Sequence, residues 1–155
     1  MKAPSVHDLK KELLSREYKD LIEYCLRFAK FKKENKELLA FLLFQAGDLP
    51  GYIEEVKKET EDQFLLMNKS NIYFIKKSVR KILRYVNKQI RISASKEVEA
   101  ELLIHFCNCM VRHFVPIEKS RQLLNLYDNQ IKKTAKAISF LHPDLQYDLN
   151  RRVAR

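Results

Sequence analysis

The chain has few of the residues that make turns. Its 155 residues include two glycines and four prolines, and no tryptophan. Strands, tight hairpins and long loops depend on glycine and proline, so this scarcity excludes a β-rich fold and favours long helices with short connections. Cysteine is sparse too. Cys25, Cys107 and Cys109 are an odd set, which excludes a disulfide framework and reads as reduced thiols in a core. No apolar run approaches the ~20 residues of a membrane span, and the opening MKAPSVHDLKKELL holds no apolar signal core. These absences predict a soluble, cytoplasmic protein with no membrane partner. A chain of this length is expected to form one domain, residues 1–155, that buries about two-thirds of its unfolded surface.

Reaction motifs are missing as well. The chain contains no HExxH, CxxC, glycine-rich phosphate loop, GxSxG elbow or ExxH metal motif. The densest chemical cluster is HFCNCMVRH, in which His105, Cys109 and His113 recur at every fourth residue. Two such residues one turn apart can share an ion, but three span about 12 Å of helix axis, too far for one ion without further ligands. Helical projection sets Cys109 and His113 among Val98, Leu102, Phe106 and Met110, with His105 at a narrow polar edge beside Glu101 and Arg112. The expectation is buried thiols and hydrogen-bonded histidines, with no metal, no cofactor, no catalytic residue and no enzymatic activity.

Helical periodicity is what the sequence does have. Tyr18, Leu21, Ile22, Cys25, Phe28 and Ala29 share one face of a helix that Ser15 is placed to cap. The next helix, KELLAFLLFQA with Asn35 as its cap, is apolar nearly all round and is expected to be central. Asp48 and Pro50 open a helix to about Asn68. It turns Ile53, Val56, Thr60, Phe64 and Met67 inward and is acidic through Glu54, Glu55, Glu59, Glu61 and Asp62. Ser70 and Ser95 are placed to cap two more helices, and Pro116 and Pro143 to open the last two. The prediction is an all-α fold of seven or eight antiparallel helices.

Two short stretches recur. IKKSVRKI (75–82) aligns with IKKTAKAI (131–138), and YCLRFA (24–29) with KILRYV (81–86), at offsets of 56 and 57 residues. A three-helix unit of that size, with helices of that length, resembles the armadillo- and HEAT-type helical repeat proteins. The resemblance implies a short α-α superhelix in preference to a regular bundle, and no functional residue is carried over from it.

Charge is unevenly placed. Residues 1–70 hold 13 Lys/Arg and 13 Asp/Glu, and residues 71–155 hold 17 and 7, so the whole net charge of +10 lies in the second half. Residues 71–93, NIYFIKKSVRKILRYVNKQIRIS, carry seven Lys or Arg and no acid. At about 100° per residue, Lys76, Lys77, Arg80, Lys81, Arg84, Lys88 and Arg91 lie within roughly 140°, opposite Ile75, Val79, Ile82, Leu83, Val86 and Ile90. Successive turns space them by about 6 Å, close to the phosphate spacing of a nucleic-acid strand. Tyr73, Phe74 and Tyr85 lie in or beside this stripe, where aromatic rings can stack on unpaired bases. Lys132, Lys133 and Lys136 would extend it through the repeat. The expected function is non-enzymatic binding of nucleic acid or another polyanion. The alternative is a protein–protein interaction scaffold for an acidic or helical partner, or a stripe covered by the protein's own acidic residues 54–62. An enzyme ranks third, and the sequence assigns no oligomeric state.

Overall fold

In a computed structural model that describes residues 2–153, helix accounts for 81% of the described residues, and none of them is in a strand. The eight helices are α1 (Val6–Leu14), α2 (Tyr18–Phe31), α3 (Lys33–Phe44), α4 (Leu49–Leu65), α5 (Ile72–Ser93), α6 (Lys96–Arg112), α7 (Arg121–Ser139) and α8 (Pro143–Arg152). A single 3-10 turn, Ile117–Lys119, precedes α7. The all-α expectation holds, and the arrangement is compatible with helical stacking. Several boundaries differ from the sequence reading, because which side chain caps a helix depends on local geometry. Asn71 caps α5 in place of Ser70, its side chain accepting from the Phe74 N–H at 3.0 Å. Ser15 closes α1 and does not open α2, since its hydroxyl donates back to the Glu12 carbonyl at 2.7 Å. Pro116 precedes the 3-10 turn, and it is Ser120, with an oxygen to offer, that caps α7.

The described chain forms two compact units, residues 2–44 and 45–153. In the first, α2 packs on α3, and Phe41 is the one buried residue. The apolar helix α3 is therefore not the central one. Leu42, Leu43 and Phe44 are exposed, because the two other helices of this unit are too few to cover one that is apolar nearly all round. Asn35 lies inside α3, where its amide donates to the Phe28 carbonyl at 2.9 Å. Cys25 is exposed, so the expectation of a core thiol fails there, while Cys107 and Cys109 are buried.

In the second unit the central helix is α6. Nine of its 17 residues are buried, and it packs against α4, α5, α7 and α8. Helix α4 runs the same way as α6, since Lys57 meets Glu101 and Glu61 meets Cys109. Helix α5 runs the other way beside both, and the Tyr52 hydroxyl donates to Gln89 Oε1 at 2.7 Å. Phe64 and Phe106 pack with ring centroids 5.6 Å apart. Ala100 and Ile104 close on Ala137, Ile138 and Leu149 from α7 and α8. Each of the larger buried side chains here, such as Phe64, Phe106, Ile138 and Leu149, stabilises the fold by about 1.5–3 kcal/mol. Helix α5 stops because Ala94 takes the left-handed conformation (φ 48°), a cost of about 1–2 kcal/mol for a residue with a Cβ. Ser95 then caps α6.

Glu101 ties three helices together. It does not pair with His105 one turn away. It accepts from Lys57 of α4 at 2.9 Å and from Arg152 of α8 at 2.5 Å. Burial alone would raise its carboxyl, but the hydrogen bonds from Arg152 and Lys57 outweigh it and hold the group below the ordinary value of 4.5. A carboxylate lowered on folding contributes stability that is present above its unfolded pKa and lost as pH falls through the folded one. Glu101→Gln is therefore expected to cost about 1–3 kcal/mol at neutral pH. It should also lose less stability than the unmodified protein between about pH 5 and pH 3. Urea unfolding at several pH values checks this, and identical pH slopes would contradict it.

Candidate functional site

The apolar side of α5, formed by Ile75, Val79, Ile82 and Val86, is buried in the second unit, so its cations are carried on the other side. Lys77, Arg80, Lys81, Arg84 and Arg91 are exposed, and Lys76 and Lys88 are half-buried at the margins. Lys76 Nζ and Arg80 Nη2 both donate to Gln122 Oε1, at 2.9 and 3.3 Å. Lys76, Lys77, Arg80, Lys81 and Arg84 form no ion pair among the described residues. Several acids of α4 have partners outside α5, Glu59 accepting from Gln63 at 3.4 Å. Glu54 meets Lys57, Glu55 accepts from Gln45, and Glu61 meets Arg112 and His113.

Helical geometry explains the separation. The edge of α5 that carries Tyr85 and Gln89 faces α4, and the edge that carries Lys76 and Arg80 faces the start of α7. The stripe thus leans toward α7, away from the acidic helix. Tyr85 belongs to the α4 edge. It is half-buried there, and burial, together with the nearby carboxylates of Glu59 and Glu55, pushes its phenol up to about 12. Tyr73 is 62% exposed and lies within the arc of cations, edge-on to Phe74 at 5.4 Å.

Lys132, Lys133 and Lys136 are exposed on α7. Gln122, Asn129, Lys133 and Lys136 recur on one face at helical spacing, and Lys132 lies about 80° to the side. Gln122, at the start of α7, bonds both Lys76 and Arg80, and Lys133 and Lys136 lie on the same face of α7 about three and four turns further along. Gln122 was invisible to a charge count because it is neutral.

A second polar cluster sits where the end of α6 meets α4. Glu61 Oε1 accepts from His113 Nε2 at 2.6 Å, and Oε2 accepts from Arg112 at 2.6 Å and from the Cys109 thiol at 3.1 Å. His105 Nε2 lies 3.6 Å from Glu61 Oε2, 3.4 Å from Cys109 Sγ and 3.0 Å from the Lys57 carbonyl. The His113 ring stacks on Phe64, 5.6 Å between centroids and 9° from parallel. Partial burial would raise the Glu61 carboxyl, but its bonds to Cys109, His113 and Arg112 hold it down at about 2. Burial, then the Glu61 carboxylate, pushes the Cys109 thiol up to about 12, and burial lowers His105. The sequence places His105 and Cys109 on α6, as observed, and His113 caps its end, but Glu61 reads there as one of the acids of α4 and not as their partner. The available signal was its spacing, one turn after Lys57 and three residues before Phe64.

No family model matches the chain, and neither does any curated protein or solved structure. The functional reading therefore rests on these two surfaces.

Because neither Arg80 nor Arg84 forms an ion pair among the described residues, reversing both to glutamate should change stability by no more than about 0.5 kcal/mol per site. Chemical denaturation of Arg80→Glu/Arg84→Glu tests this. A loss several times larger would show that the stripe is paired within the fold.

Proposed function

We propose that the chain is a non-enzymatic binding module whose α5 face holds the phosphate backbone of a nucleic acid or a similar polyanion. One observation carries this reading: five cations on one helix face, Lys76, Lys77, Arg80, Lys81 and Arg84, have no ion pair among the described residues. Like charges at this spacing repel, so the arrangement costs stability in isolation and is relieved when an anion lies along it. Arg80 and Arg84, one turn apart near the middle of the arc, suit two-pronged contact with successive phosphates. Lys133 and Lys136 extend the path onto α7, and Tyr73 offers a face for an unpaired base. Contacts of this kind bind the backbone and carry little sequence information. An acidic protein surface is the competing partner.

Fluorescence titration against single- and double-stranded oligonucleotides at several salt concentrations decides between them. Engaging four or five phosphates implies a slope of log K against log salt of roughly −3 to −4.5, with little dependence on base sequence. Arg80→Glu/Arg84→Glu should abolish binding. No binding by the unmodified protein at low salt would end the nucleic-acid reading and leave the acidic protein partner. Binding insensitive to salt would exclude the phosphate contact.

A further inference from the structure

We infer that Glu61, His105 and Cys109 form a binding site for a divalent zinc-like cation at the junction of α4 and α6. The donor atoms Oε2, Nε2 and Sγ all lie within 4.8 Å of one another. Their separations are more informative. Zinc bonds of about 2.3 Å to sulfur and 2.0–2.1 Å to nitrogen or oxygen, at tetrahedral angles, place ligand atoms about 3.4–3.6 Å apart. The observed distances are 3.4 Å from Cys109 Sγ to His105 Nε2, 3.6 Å from His105 Nε2 to Glu61 Oε2, and 3.1 Å from Glu61 Oε2 to Cys109 Sγ. Two of the three edges already fit, and the third needs to open by about half an ångström.

The chemistry of the set is selective. Thiolate, imidazole and carboxylate together suit zinc, whereas magnesium and calcium take oxygen ligands. His105 and Cys109 sit one turn apart on α6, so the helix itself fixes their separation. The third donor comes from α4, which removes the obstacle that a single helix presents. His113 is 2.6 Å from the other oxygen of Glu61 and fixes the carboxylate's orientation, as outer-sphere partners of metal ligands do. The fourth position is left to water or an outside donor.

Three groups must yield. Arg112 lies 2.6 Å from Glu61 Oε2 and 3.2 Å from Cys109 Sγ, but its side chain is 53% exposed and can swing into solvent. The His105 proton on Nε2, held by the Lys57 carbonyl, moves to Nδ1, and the Cys109 thiol proton leaves to solvent as the sulfur–metal bond forms. Arg112 thus competes with the cation for the same two atoms.

The full-length protein with Cys25→Ser, treated with chelator, should be titrated with Co²⁺ and then with Zn²⁺. The expected result is one equivalent of Co²⁺ bound, with a thiolate-to-cobalt charge-transfer band and strong four-coordinate visible bands, both erased by Zn²⁺. Cys109→Ser should lose the charge-transfer band, and His113→Ala should weaken affinity about 10- to 100-fold. Arg112→Ala should bind more tightly than the parent, which no purely structural role for the cluster would produce. Absence of the bands in the parent, or their persistence in Cys109→Ser, would overturn the site. Should Cys109→Ser fail to fold by circular dichroism, Glu61→Gln replaces it, and unchanged affinity there would overturn the site equally.

Discussion

Helix α6 is apolar on too many sides for one neighbour to cover, and burying it organises the second unit. Leu102, Leu103 and Ile104, successive residues about 100° apart around the helix, are all buried and need partners in several directions, and α4, α5, α7 and α8 supply them. Each of those helices turns its apolar residues toward the core and carries its polar residues away from it. For α5 the consequence is electrostatic. Ile75, Val79, Ile82 and Val86 are spent on the core, so seven cations occupy what remains of the helix. Among the described residues Lys76, Lys77, Arg80, Lys81 and Arg84 form no ion pair with α4, whose Tyr52 meets the opposite edge of α5 at Gln89.

The same packing brings two kinds of polar chemistry to different places. Along α5, long cationic side chains are carried on the side away from the core, and a neutral glutamine at the start of α7 bonds two of them. At the end of α6, a carboxylate, two imidazoles, a thiol and a guanidinium converge in a partly buried space. The first arrangement favours an extended polyanion, held by many weak contacts. The second favours a compact ion, held by a few short ones. Their tests are independent, and failure of one leaves the other untouched.

Much of the helix content was legible in the sequence, because the 3.6-residue period and the scarcity of glycine and proline speak to local structure. What was not legible depends on packing between helices. KELLAFLLFQA reads as the most apolar helix, yet α6 became the centre, since centrality is set by how many neighbours a helix has. Cys25 shares an apolar face and is still exposed, because that face belongs to a unit with few helices to cover it. In the candidate site, the outward stripe followed from the sequence alone, as helical geometry permits no other result once the apolar side is buried. The surroundings of Tyr85 and Glu61 were not legible for one shared reason: each sits at the edge of its helix, where the neighbour decides whether a side chain meets solvent or protein.

The central claim is that the α5 and α7 cations are an open anion-binding face. Amide chemical-shift mapping with a short oligonucleotide of arbitrary sequence tests it most directly. The account expects perturbations grouped on α5 around Lys77, Arg80 and Arg84, and on α7 around Gln122, Lys133 and Lys136, with α4 quiet. Perturbations centred on α1–α3 or on the acidic face of α4, or none at low salt, would contradict it.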